Sequence, residues 1–222
     1  MKNDPDSARS RANVYRLLAT VIRAPLTLRE LRTLRDPAVL RGLAEAGVAL
    51  DEAFLKGDEG PLLEALVLDF TQLFHGPRGH HPPYESVQAS GDEGELNGDI
   101  TQAVRRFYVS AGLLFDDEYR ELPDHLSVEL AFMAELAERE AAARKAGDIA
   151  SAKRRVREQC AFLKKHLGRW ATVFGQLVAN NAESVFYREF ARLLTEFIDA
   201  ELLAFEQVKY ADEYDDSLLE AV

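Results

Sequence analysis

Hydrophobic residues in this chain recur at intervals of three and four. Val14, Leu17, Leu18, Val21 and Ile22 fall at i, i+3, i+4, i+7 and i+8, which predicts an amphipathic helix that Pro25 stops. Thr27 and Glu30 have capping-box spacing and open a second helix through Leu31 and Leu34. Asp36-Pro37 is a third start, with Asp as N-cap and Pro in the first position. Gly42 and Gly47 make that segment short or broken. Gly60-Pro61 begins a helix whose apolar face holds Leu62, Leu63, Leu66, Phe70, Leu73 and Phe74, and Gly76-Pro77 ends it.

Five further stripes follow. They run through Leu96, Ile100, Val104 and Phe107, and then through Leu126, Leu130, Met133 and Ala137. A long basic helix carries Ile149, Ala152, Val156 and Leu163 up to Leu167-Gly168. Trp170, Val173, Phe174, Leu177 and Val178 mark another, and the last runs from about Glu183 through Phe186, Phe190, Leu194, Phe197 and Ile198 to Leu202 and Phe205. No stretch alternates with period two, and no unit repeats at a fixed period. The fold class expected is all-α, with about 8 to 10 helices in a single domain spanning residues 1–222.

The segment from His75 to about Gly94 has no period and contains Pro77, Pro82 and Pro83. Unpatterned loops of that length are uncommon in compact domains and tend to carry function or stay disordered. The expected organisation is an N-terminal half over 1–75, a linking Pro/Gly-rich loop over 75–94, a C-terminal half over 95–210, and an acidic tail over 211–222 that frays.

Composition narrows the class. Of 222 residues 47% are hydrophobic and 29% charged, the balance of a globular protein able to bury a core. The lone cysteine, Cys160, excludes an internal disulfide framework and a Cys-based zinc site, and is expected as a small core residue. No segment approaches the roughly 20 apolar residues that cross a bilayer. The stretch Val14–Ile22 carries Arg16 and reads as a first helix, not a signal peptide. A cytoplasmic protein without stable membrane insertion is expected.

The net charge of -11 argues against nucleic acid as a partner. Charge is also unevenly placed. Residues 153–169 hold Lys153, Arg154, Arg155, Arg157, Lys164, Lys165 and Arg169 against Glu158, while acid collects at 92–99, 116–124 and 199–220. An acidic surface would steer a basic peptide toward it; a solvated helix face with an acidic tail is the alternative.

Nucleotide-binding, zinc-protease and serine-hydrolase motifs are missing from the sequence. Two local features remain. The first is Leu73-Phe74-His75-Gly76-Pro77 followed by Pro82-Pro83-Tyr84-Glu85-Ser86-Val87, a stiff extended loop that loses little entropy on binding. It reads equally as a helix cap leading into a structural loop. The second is Pro123-Asp124-His125-Leu126 with Glu129 one turn on. Its local reading makes Asp124 an N-cap and leaves Glu129 stabilising the helix or exposed. His75, His80, His81 and His125 lack the spacing of a helical ligand pair, so neither a metal nor a cofactor is expected.

Together these features resemble the TorD/DmsD/NarJ family of redox-enzyme maturation chaperones. Residues 69–87, DFTQLFHGPRGHHPPYESV, look like its aromatic-x-x-L-F-x-G-P loop followed by P-P-x-x-S-V. Residues 122–136, LPDHLSVELAFMAEL, look like its P-D-H-x-x-x-E-L-x-F-M helix start, and W-A-x-x-F with F-Y-R-x-F in the closing helices is similar too. Gln88 departs from the aromatic residue often found after the S-V pair.

The resemblance implies an all-α chaperone that is not an enzyme. Its partner would be the precursor of a molybdopterin-dependent oxidoreductase, bound through the twin-arginine signal peptide, the mature part, or both. The chaperone would hold that precursor until its cofactor is inserted and so delay export. Cofactor-biosynthesis proteins are further expected partners. By resemblance the peptide-binding residues are Phe70, Phe74, Gly76, Pro77, Tyr84, Glu85, Ser86, Pro123, Asp124, His125 and Glu129. A groove with Glu85, Asp124 and Glu129 beside Phe70, Phe74 and Tyr84 would suit two guanidinium groups next to an apolar run. The competing expectations are an all-helical metal-dependent hydrolase and a helical scaffold without a groove.

Overall fold

Helix starts follow local cap chemistry. In the computed structural model, which describes residues 4–76, 79–90, 98–113 and 121–209, eleven α-helices are present among the described residues. Helix α1 spans Pro5–Arg23 and begins well before its apolar stripe, because the Asp4 side chain accepts from the Ser7 amide. Helix α2 (Leu28–Leu34) carries the full Thr27/Glu30 capping box, and α3 (Pro37–Glu45) starts under Asp36 as its residue pattern predicts.

Helix α4 (Glu52–Lys56) has no counterpart in the apolar periodicity; the Asp51 side chain caps it. Helix α5 (Glu59–Phe74) follows. Within the segment expected as an unpatterned loop, Glu85–Ser90 form a short helix, α6. Then come α7 (Asp99–Ser110), α8 (Leu126–Lys145), α9 (Ile149–Lys165), a 3-10 turn at Leu167–Arg169, α10 (Ala171–Asn181) and α11 (Val185–Lys209). Leu96, the acidic stretches 92–97 and 116–120, and the tail 211–222 lie outside the described residues.

Helix α1 lies along α8 and touches α11, α8 packs on α9, and α10 runs against α11. N-terminal and C-terminal segments therefore share one core. Its aromatic side chains bridge distant elements: Phe54 stacks on Phe186 at 5.1 Å, Tyr15 meets Phe197 edge-on at 4.7 Å, and Phe162 meets Phe132 at 4.7 Å. Cys160 is buried in this core. At Gly175 the backbones of α10 and α11 approach so closely that a Cβ would sit 2.9 Å from the Ala191 carbonyl. Among the described residues no helix is long and apolar enough to cross a membrane.

A charged staple crosses the α1–α8–α11 contact. The buried Arg11 guanidinium bonds Glu140 at 2.8 Å and meets Glu201 at 3.4 Å. Tyr15 Oη donates to Glu201 at 3.0 Å, and Gln159 Nε2 donates to Glu140 at 2.9 Å. Burial pushes the Glu201 carboxyl up, and Arg11 opposes that shift.

Candidate functional site

The two motif segments meet. After α5 ends, the chain turns back, with the His81 amide donating to the Leu73 carbonyl at 2.7 Å. Prolines 82 and 83 have no N–H, so the next donors are Tyr84 and Glu85. Glu85 N donates to Asp124 O at 2.9 Å, and Leu126 N donates to Pro83 O at 2.8 Å. Tyr84 and His125 thus face each other as an isolated antiparallel bridge, with their rings edge-to-face at 4.9 Å. The Leu126 amide belongs to the first turn of α8, where it has no partner in its own helix, and the bridge supplies one.

Asp124 is not the cap of its own helix. Its Oδ2 accepts from the Ser86 amide at 3.1 Å and so caps the start of α6. His125 takes the N-cap place on α8 instead, its Nδ1 accepting from Ser127 N at 3.1 Å. That arrangement needs Nδ1 unprotonated. Burial lowers the His125 pKa to about 4, although the Glu121 and Asp124 carboxylates oppose the shift.

Behind the bridge lies an acidic interior. Glu85, Asp124 and Glu129 are 3%, 0% and 0% exposed, so Glu129 is neither a surface residue nor an open contact. Glu85 Oε2 is 3.0 Å from His166 Nδ1, and Trp170 Nε1 donates to Glu129 Oε2 at 3.3 Å. Tyr108 Oη donates to Pro123 O at 2.8 Å. Burial, reinforced by the neighbouring Glu85 and Asp124 charges, holds the Glu129 carboxyl well above the usual range. Ser86 Oγ, Asp124 Oδ1 and Glu129 Oε1 are buried with no hydrogen-bond partner among the described residues. Native interiors leave few such atoms, so three in one junction call for a reason.

Other expected site residues divide between core and rim. Phe70 and Phe74 are core residues, 5.9 Å from Tyr187 and 6.2 Å from Phe174 respectively, and do not line an open groove in this conformation. Gly76 is buried against α5, where a Cβ would lie 3.1 Å from the Gln72 carbonyl. Pro123 is buried, and Pro77 lies outside the described residues. Tyr84 sits half-buried at the rim, its hydroxyl donating to Glu121 Oε2 at 2.8 Å. Among the described residues no cluster of three His, Cys, Asp or Glu side chains is placed to hold a metal.

Glu121, Tyr108, His166 and Trp170 complete the junction, and the motifs do not mark them as site residues. Only Trp170 carries a signal, through its W-A-x-x-F context. Asp69, inside the first motif, acts elsewhere. Its carboxylate accepts from Ser184 N at 2.8 Å and Glu183 N at 3.2 Å, fixing the entry to α11.

Comparison with known proteins assigns this architecture. Residues 36–176 match the family model described as the nitrate reductase delta subunit. The chaperone protein TorD of Vibrio cholerae serotype O1 strain M66-2 is 28% identical over 205 residues, covering 85% of this chain and 88% of the relative. TorD of Shewanella piezotolerans is 27% identical over 210 residues, covering 87% and 91%. A crystal structure of a candidate redox enzyme maturation protein from Archaeoglobus fulgidus shares the fold, with a TM-score of 0.53, 22% identity, and coverage of 85% of this chain and 93% of that one.

The fold and the paired motifs are those of an all-helical chaperone of redox-enzyme maturation, not of an enzyme. The chain belongs to the nitrate reductase delta subunit family, the TorD/DmsD/NarJ group that its motifs resemble. This membership removes the metal-dependent hydrolase expectation.

Proposed function

We propose that this protein is a cytoplasmic, system-specific chaperone acting as one unit along its length. Its guest is the precursor of a molybdopterin-dependent oxidoreductase, taken by the twin-arginine signal peptide, the mature part, or both. It assists cofactor insertion into that precursor and delays export, with cofactor-biosynthesis proteins as further partners. The observation that carries this reading is the closed acidic junction, where two family-like motifs are joined by one small bridge over two carboxyl groups, Asp124 and Glu129, and the Ser86 hydroxyl, each with a buried oxygen left without a hydrogen-bond partner among the described residues.

The bridge rests on two backbone hydrogen bonds, each worth about 1 kcal/mol net. Parting it would bring Glu85, Asp124 and Glu129 to the surface beside Tyr84, where two guanidinium groups would satisfy the atoms now left unpaired. The acidic balance of -11 would help steer a basic guest to the junction.

Titration calorimetry with a synthetic twin-arginine signal peptide tests the reading. Asp124→Asn keeps an acceptor for the Ser86 amide, so the fold should persist. Affinity should fall by roughly 1–3 kcal/mol, the scale of a hydrogen bond to a charged group, and weaken further as salt rises. Equal, salt-independent affinity in both proteins would contradict the charge pairing. No binding by the wild type would favour a scaffold role.

A further inference from the structure

The lysines and arginines of the basic run at 153–169 are not among the residues that build the acidic junction, and the structure splits them into two groups. At one end Arg154 and Arg155 both pair with Glu158, at 2.9 and 2.7 Å. At the other end Lys164, Lys165 and Arg169 are joined by Arg106, which α7 brings from 58 or more positions earlier in the sequence. These four cations line one cleft of about 660 Å³, with His166 on its wall and no acidic side chain lining it among the described residues. Lys164 and Lys165 occupy the last turn of α9 and offset its dipole. That role does not account for Arg106 on α7 or for Arg169 on the 3-10 turn, both exposed.

We infer that this cleft binds a compact, multiply charged anion bearing phosphate groups. Its volume lies within the roughly 300–1,000 Å³ of small-molecule sites, and its walls come from three separate elements. Arginine presents its donors as a fork that matches phosphate oxygens, and the two lysines add point charges. Lys164 and Lys165 have interactions of their own, so the ligand adds to their contacts and does not fill a vacancy. In a chain of net charge -11, long-range forces repel polyanions. Attraction must then be local to the cleft.

The site stands apart from the guest junction but touches it, because the His166 ring that walls the cleft also holds Glu85 at 3.0 Å. An anion in the cleft would therefore sit against the clamp of the bridge.

Tripolyphosphate titrated into the full chain at low ionic strength is the test. Saturable binding of one ligand per chain is expected, weakening as salt rises. The double variant Arg106→Gln, Arg169→Gln should lose about tenfold or more in affinity, since each lost charge-assisted hydrogen bond is worth at least that. Both side chains are exposed, so circular dichroism should not change. A control pair, Arg29→Gln with Arg41→Gln, removes the same net charge from exposed positions outside the cleft and should leave affinity unaltered. Equal losses in both double variants would mean general charge attraction and overturn the site. Absence of saturable binding would overturn it as well. Tighter binding of an oligo-glutamate of equal charge would assign the cleft to an acidic polypeptide and overturn the phosphate reading.

Discussion

Glu129 and His125 sit four residues apart and are pushed in opposite directions by the same burial. Glu129 has a raised pKa, so the fold favours its neutral form. A group of this kind contributes stability below its unfolded pKa, near 4.5, and loses it as pH rises toward the folded value. Glu129→Gln keeps an acceptor for Trp170 and cannot ionise. The variant should therefore gain stability over wild type at pH 8 and gain little at pH 4, as chemical denaturation would show. His125 is depressed from 6.5 to about 4, so its contribution is present above pH 6.5 and is lost as pH falls toward 4. His125→Asn retains a side-chain cap without a titrating ring. Its denaturation midpoint should lack the wild-type decline across that window; an unchanged decline would place the acid sensitivity elsewhere. Neither environment was legible in the sequence. Asp124 looked like a cap because Asp-x-x-x spacing is local, whereas the Ser86 amide that claims its carboxylate lies 38 residues away.

Elements were far easier to read than contacts. The long helices α1, α5, α8, α9 and α11 follow directly from apolar spacing, and the caps of α2 and α3 from their side chains. Helices α4 and α6 were not expected, because five or six residues are too few to show a period. Helix α8 hid its acidic members differently. It is buried on nearly every side, so Glu129 and Glu140 occupy interior positions outside the stripe of Leu126, Leu130, Met133 and Ala137. Arg11, a surface charge by composition alone, is the counterion of Glu140 and Glu201. Removing one partner of a buried ion pair leaves the other uncompensated. Arg11→Met should cost about 3–5 kcal/mol, measured by urea denaturation. A loss below about 1 kcal/mol would mean that the staple does not hold α1 onto α8 and α11.

At the scale of the whole molecule, the shared core predicts a single cooperative unfolding transition, with Trp170 fluorescence and far-ultraviolet circular dichroism coincident. Two resolved transitions would separate the N-terminal half from the C-terminal half. The all-α class and the family were legible in three ordered motifs; the closed state of the junction was not, because motif spacing carries no information on burial. The central claim is that a twin-arginine guest reaches the acidic cluster by parting the Tyr84–His125 bridge. Hydrogen exchange of the Glu85 and Leu126 amides, with and without saturating peptide, reads that bridge directly. The account predicts faster exchange at both amides when the peptide is bound, because each gives up its bridge carbonyl. Bound peptide with equal or slower exchange at Glu85 and Leu126 would contradict it.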